Sequence, residues 1–138
     1  GQAAMELEMI SDDTATESYN FEITFEDLPV IRTDSIIRGI VNDILKGVQK
    51  ELIGGKFHYT LVLLFTKVCD ILRRKTGINT VAMSGGVFQN RILLDRLTAS
   101  LKETHFETIT QKQVPCNDGG LSLGQAVAAA AMASDGKE

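Results

Sequence analysis

The chain is poor in the residues that build metal sites, disulfide scaffolds and cationic surfaces. Its only cysteines, Cys69 and Cys116, form neither a CxxC pair nor a disulfide-dense pattern. A stapled secreted scaffold is therefore excluded, and a reduced, cytoplasmic setting is expected. His58 and His105 are the only histidines and lie far apart, so the chain contains no metal-ligand spacing of its own. For the same reason no Ser-His-Asp or Cys-His pairing can be drawn. No uninterrupted apolar run approaches the ~18–20 residues of a membrane span, and no signal-peptide pattern opens the chain, so no membrane partner is expected. Net charge is −4 with pI ≈ 5.2, which gives no cationic surface for nucleic acid. Lys and Arg are missing altogether up to Asp27, a stretch that holds eight carboxylates. That stretch reads as a solvated loop or an edge against a neighbour. The chain opens at Gly1 without an initiator Met, directly on an amphipathic run, and is expected to be part of something longer.

What is present suffices for a core. At 138 residues and 43% apolar content, residues 1–138 are expected to form a single domain. Gln2 to Ile10 has a helix-compatible pattern, and Ser11 to Asn20 is polar and turn-prone. Phe21, Ile23 and Phe25 alternate with Glu22, Thr24 and Glu26, the period of a half-buried strand; Pro29 argues against a long continuation. Asp34 is a candidate N-cap for a helix striped by Ile37, Val41, Ile44 and Val48 and running to about Lys50. Gly54-Gly55 reads as a break. A second helix then starts at Phe57, with Leu61, Leu64, Val68 and Leu72 on one face, basic residues at its end and Gly77 at C′.

Thr80 to Met83 is a short apolar strand. Ile92, Leu93, Leu97 and Leu101 mark the next helix, and Phe106 to Gln111 alternates again as a strand. Pro115 ends that strand. Asn117 or Asp118 opens a last helix rich in Ala and Gly, which ends near Ala133 with the last five residues frayed. Strand-helix-strand order implies parallel strands and right-handed crossovers, with ligands at the strands' carboxyl ends.

Those carboxyl ends carry the most informative segments, Met83-Ser84-Gly85-Gly86-Val87-Phe88-Gln89-Asn90 and Val114-Pro115-Cys116-Asn117-Asp118-Gly119-Gly120. In both, an extended run breaks at paired glycines before a helix, an arrangement that brings backbone N–H groups near an anion. The plain alternative is a tight turn in which glycine serves only backbone geometry or packing. Asn90 has the dual donor and acceptor inventory that a nucleotide contact needs. Ser84 reads as a helix cap before a phosphate contact. Asp118 reads as an N-cap before a ligand, yet a carboxylate there is also a hard oxygen donor for a divalent cation. Gly119, Gly120 and Gly124 weaken the last helix by about 1 kcal/mol each relative to Ala, which implies a close neighbour or ligand. His58 reads as packed or capping, and His105 suits a helix C-terminus. Cys116 lies at a helix N-terminus, where thiols become more acidic.

At these residues the chain resembles the C-terminal part of the HypF family of hydrogenase-maturation carbamoyltransferases, whose domain is similar to the threonylcarbamoyltransferases that modify tRNA adenosine. The likeness covers nearly the whole chain. It rests on Gly1 through Glu8, Leu28-Pro29, Phe57-His58, Met83 through Asn90, and Gln113 through Gln125. The Gly-Gly-Val-x-x-Asn element is common to both branches, whereas Gln-Ala-Ala-Met-Glu, Phe-His and Asn-Asp-Gly-Gly resemble HypF in particular.

The resemblance implies an α/β fold: most of the second lobe of an actin/sugar-kinase/Hsp70-type (RNase H-like) domain, with nucleotide between the lobes. It implies that Glu6 holds the ribose, that Gly85, Gly86 and Asn90 contact the nucleotide, and that Asp118 binds a divalent metal (iron, zinc or magnesium). Gln2 departs from a glycine pair that the family often has. The family's other metal ligands, spaced His-x-x-x-His, belong to the first lobe and are not in this chain.

The implied reaction passes a carbamoyl group from carbamoyl-adenylate, formed with ATP, to the C-terminal cysteine of HypE on the way to cyanide ligands. The implied partners are HypE and the rest of a HypF chain, and the segment alone is expected to be inactive. Uncovered apolar surface on the lobe face is expected to drive a homodimer. The alternatives are threonylcarbamoyl transfer to tRNA adenosine and a non-enzymatic interaction module.

Overall fold

In a computed structural model, residues 1–25 and 29–135 are described. The readings for Glu26 and Leu28, and the end of the frayed tail, lie outside them. In chain order the elements are α1 (Gln2–Ile10), β1 (Glu22–Phe25), β2 (Pro29–Arg32), α2 (Asp34–Leu45), α3 (Lys50–Thr76), β3 (Thr80–Met83), a 3-10 turn (Gly86–Gln89), α4 (Arg91–Glu103), β4 (Glu107–Thr110), a second 3-10 turn (Asp118–Gly120) and α5 (Leu121–Asp135). The strands form two separate pairs: β1 and β2 antiparallel, β3 and β4 parallel. Pro29 opens β2 opposite Phe25, the start-of-strand place where its missing N–H is tolerated. The sequence reading missed this second strand.

Helix α3 is the column of the fold. It runs 27 residues straight through Gly54-Gly55, where a break was expected. Both glycines are buried. A Cβ on Gly54 would strike the Ser11 hydroxyl, and one on Gly55 would strike the Asp12 carbonyl oxygen. The pair is there so that the end of α1 can lie directly on α3; Asp12 N–H donates to Glu51 O at 2.9 Å in the same place. By length and composition alone α3 could cross a bilayer. Here it packs against α1, α2 and α4, with Ile53, His58, Thr60, Val62 and Leu64 buried along it. It ends as expected at Gly77, in the left-handed conformation with φ 74°.

Two hydrophobic clusters flank this column. Val62, Met83, Leu93, Leu97, Leu101 and Phe106 pack between α3, α4 and the parallel pair. Tyr19, Ile36 and Leu64 pack between α3, α2 and the region of the antiparallel pair. Burial of each large apolar side chain contributes about 1.5–3 kcal/mol, and Phe65 touches both clusters. Helix α2 starts one residue earlier than read: Thr33 is at the N-cap, Asp34 sits in the first turn, and no side-chain cap bond forms. It also stops at Leu45, short of Lys50. Past α4, His105 takes a left-handed φ of 64°. Its N–H donates to Lys102 O and that of Phe106 to Leu101 O, at 2.9 Å each. This pair of hydrogen bonds closes the helix and turns the chain into β4, in parallel register with β3 from Thr80 opposite Glu107 to Met83 opposite Thr110.

Candidate functional site

Both glycine turns emerge where the parallel strands end, and a backbone hydrogen bond joins them. Gly85, at φ 106°, donates its N–H to Cys116 O at 2.7 Å. That φ is open to glycine and strained for other residues. The Gly85 N–H is therefore spent on holding the turns together rather than facing an anion. The next two N–H groups, of Gly86 and Val87, find no acceptor among the described residues. On the other strand, Gln111 Nε2 donates to Ser84 Oγ at 2.6 Å, so Ser84 bridges the strand ends instead of capping. Gly120 sits where a Cβ would lie 2.7 Å from the Pro115 carbonyl oxygen. Its cost in the helix is thus explained by the chain's own backbone. Gly124 has open space around it.

Between these turns and the start of α5 lies a cleft of about 450 Å³, lined by Ser84, Gly85, Cys116, Asp118, Gly124 and Gln125 among others. The volume is within the ordinary range of small-molecule sites. Asn117, not Asp118, caps the second 3-10 turn, its side-chain oxygen accepting from Gly119 N–H at 3.0 Å. Asp118 therefore does not serve as the cap that its position suggests. Its carboxylate is exposed and makes no hydrogen bond or ion pair among the described residues. It is one free oxygen donor. Among the described residues no three His, Cys, Asp or Glu side chains gather as a metal set, and a single carboxylate does not hold a divalent cation.

Asn90 is tied to the first turn from the other side. Its Oδ1 accepts from Leu93 N–H at 2.9 Å, the N-cap of α4, and its Nδ2 lies 2.8 Å from His58 Nε2. Glu6 stands apart. It is exposed on α1 and receives a hydrogen bond from Gln2 Nε2 at 2.7 Å. At 100° per residue, position 6 faces away from position 8 on the same helix, and it is Glu8 that reaches the site: its Oε1 accepts from Arg91 N–H at 2.7 Å. A carboxylate against the first turn of a helix is favourable, and α4 has no acidic residue of its own there. The structure thus brings Gly85, Gly86 and the Asp118 turn together and places Asn90 on the same segment. Neither Asn90 nor Glu6 lines the cleft.

Two contacts at the site carry no local signal in the sequence. Glu8 is 83 residues from Arg91, and only its helical phase next to Leu7 and Ser11 hinted at an inward face. His58, 2% exposed, was read as packed or capping, and it is packed, but its bond to Asn90 had no sequence signal. Cys116 is half-buried and unpaired. The Cys69 thiol, under the first cluster, is pushed up by burial.

These features define an α/β fold in which two joined glycine turns border a cleft at the ends of the parallel strands. Residues 1–125 match the carbamoyltransferase Kae1-like domain, second subdomain, and the chain belongs to that family. It is similar to a carbamoyltransferase HypF of Synechocystis sp., with 32% identity over 93% of this chain and 16% of the relative. A carbamoyltransferase HypF of Rhodobacter capsulatus is 30% identical over 95% of this chain and 16% of its own length. A full-length HypF crystallised in a phosphate- and nucleotide-bound form superposes with TM-score 0.89 and 49% identity, over 94% of this chain and 17% of that one. The chain therefore spans about a sixth of the length of these three relatives. The expected α/β fold is present, and it is that of the Kae1-like carbamoyltransferase domain.

Proposed function

We propose that this chain is most of the second lobe of a carbamoyltransferase domain and forms one wall of its nucleotide cleft. The observation that carries the reading is the hydrogen bond from Gly85 N–H to Cys116 O, which joins two glycine turns into one surface at the strands' carboxyl ends. ATP or carbamoyl-adenylate would lie against Gly85, Gly86 and Asn90, with Glu6 turned toward the ribose once the other lobe is in place. Asp118 would supply one oxygen to a metal whose remaining ligands come from the rest of the carbamoyltransferase chain.

The transfer itself needs no nucleophile from this lobe. A thiolate at the C-terminus of a HypE-type acceptor attacks the carbamoyl carbon. The S–C bond forms as the C–O bond to the phosphate breaks, and AMP leaves with the electron pair. The lobe contributes position and electrostatic stabilisation. A cytoplasmic setting suits a free thiolate acceptor. The alternative acceptor, a tRNA nucleoside, draws on a threonylcarbamoyltransferase of Methylobacillus flagellatus that is 28% identical over 59% of this chain. The net charge of −4 speaks against a nucleic-acid partner.

The test uses the full-length chain that contains this segment. Carbamoyl transfer to the acceptor cysteine should occur and threonylcarbamoyl transfer to tRNA should not; the reverse would overturn the assignment. AMP binding by calorimetry should weaken in Asn90→Ala and Glu6→Ala. Metal content should fall in a folded Asp118→Ala variant, and full occupancy would remove Asp118 from the ligand set.

A further inference from the structure

We infer that His58 is a positioning residue that holds the Asn90 amide in a single orientation and leaves one N–H and one lone pair free for the nucleotide. The inference rests on the nucleotide role proposed for Asn90 and deepens it. Leu93 N–H donates to Oδ1 of Asn90 at 2.9 Å, which settles which end of the amide is oxygen. The other end, Nδ2, is then a donor, and it stands 2.8 Å from His58 Nε2. Two donors cannot face each other, so Nε2 is the bare nitrogen of a neutral ring. The ring proton is on Nδ1, which lies 2.8 Å from Gly54 O and donates to it.

The neighbour agrees. Ser11 Oγ is 3.3 Å from Nδ1, while its own proton goes to Leu7 O at 2.6 Å. The hydroxyl therefore offers only lone pairs to the ring N–H.

Every polar atom of the ring is accounted for, and the residue is 2% exposed. An amide has two N–H groups and two oxygen lone pairs. The cap takes one lone pair and His58 takes one N–H. What remains is one donor and one acceptor, in fixed directions, on a half-buried side chain at the edge of the glycine turn. That pair suits a ligand group that both accepts and donates, such as a ribose hydroxyl, or one that only accepts, such as a phosphate oxygen. Phe57 helps hold the ring, meeting it edge-on at 5.8 Å between centroids. Gly54 and Gly55 make the arrangement possible, because without them α1 could not bring Ser11 to the imidazole.

The experiment is calorimetric titration of AMP into the full-length chain and its Asn90→Ala, His58→Leu and His58→Gln variants, with melting temperatures measured in parallel. Loss of one oriented hydrogen bond predicts about three- to tenfold weaker binding in His58→Leu. In His58→Gln the side-chain oxygen can still accept from Asn90, and affinity should return to within about twofold of the parent. Unchanged affinity in Asn90→Ala would remove the nucleotide role of Asn90 and the reading beneath the inference. Weakening in Asn90→Ala but not in a folded His58→Leu would overturn the inference alone. Equal weakening in His58→Leu and His58→Gln at equal melting temperature would reduce His58 to packing and also overturn it. Nitrogen chemical shifts of labelled His58 give a measure independent of folding in the variants. A protonated Nδ1 and bare Nε2 are expected, and the opposite tautomer would refute the network.

Discussion

Gly55→Ala should destabilise the protein, although it replaces glycine in the middle of a helix. Helix propensity alone predicts a gain of about 1 kcal/mol for such a change. The local geometry reverses the sign. A Cβ at residue 55 would run into the Asp12 carbonyl oxygen and lie 2.8 Å from Ala15 Cβ. Asp12 cannot yield cheaply, because its N–H is bonded to Glu51 O at 2.9 Å and its carboxylate accepts from Thr14 N–H at 2.9 Å. Overpacking of this kind costs roughly 1–3 kcal/mol, and collision with backbone belongs at the upper end. The net is a loss of about 1–2 kcal/mol. For a chain of this size that is a fall of several degrees in melting temperature, at roughly 4 °C per kcal/mol.

Gly124→Ala is the control. Position 124 is also inside a helix but has nothing within 4 Å of an added Cβ, so the propensity gain should appear undiminished. Thermal and denaturant unfolding of both variants would read the contrast. A stabilised Gly55→Ala would mean that α1 does not sit on α3 as described.

The remaining predictions concern the second turn and acid stability. Asn117→Ala should cost about 1 kcal/mol through loss of the cap, while Asp118→Asn should leave the melting temperature unchanged; a larger loss in Asp118→Asn would return the cap to Asp118. Burial alone would raise the Asp43 carboxyl, but hydrogen bonds from Lys56 and Tyr19 outweigh it and hold it below the ordinary aspartate value of 3.8. Asp12 and Asp70 are also held low, chiefly by hydrogen bonds from Thr14 and Arg73 respectively. A carboxyl with a depressed folded pKa adds stability above its unfolded pKa and loses it as pH falls through the folded one. Melting temperature should therefore hold near neutrality and decline in acid below the ordinary carboxylate range, less steeply in Asp43→Asn. A profile that is flat into strong acid would contradict these hydrogen bonds and ion pairs.

Local patterns carried most of the fold. Alternation marked β1 and β4, the 3.6-residue stripe marked α4, and strand-helix-strand order foretold the parallel pairing of β3 with β4. What failed were signals with two physical meanings. Gly54-Gly55 reads locally as a helix break, yet here glycine serves the close approach of another segment, which only tertiary structure reveals. Pro29 argued against more strand, yet it can begin one. At the candidate site the two glycine turns were visible because backbone geometry imposes a local sequence requirement. Their joining bond, the hold of His58 on Asn90 and the reach of Glu8 to Arg91 link residues distant in the chain, and no local pattern encodes them. Asp118 carries a signal with two meanings, cap or ligand, and the cap is Asn117 instead.

The most direct test of the whole account is hydrogen–deuterium exchange of the full-length chain with and without AMP. Slowed exchange in the peptides covering residues 84–90 and 116–125 together is the predicted result. Protection elsewhere with both segments unaffected would contradict the claim that these turns form a nucleotide-facing wall.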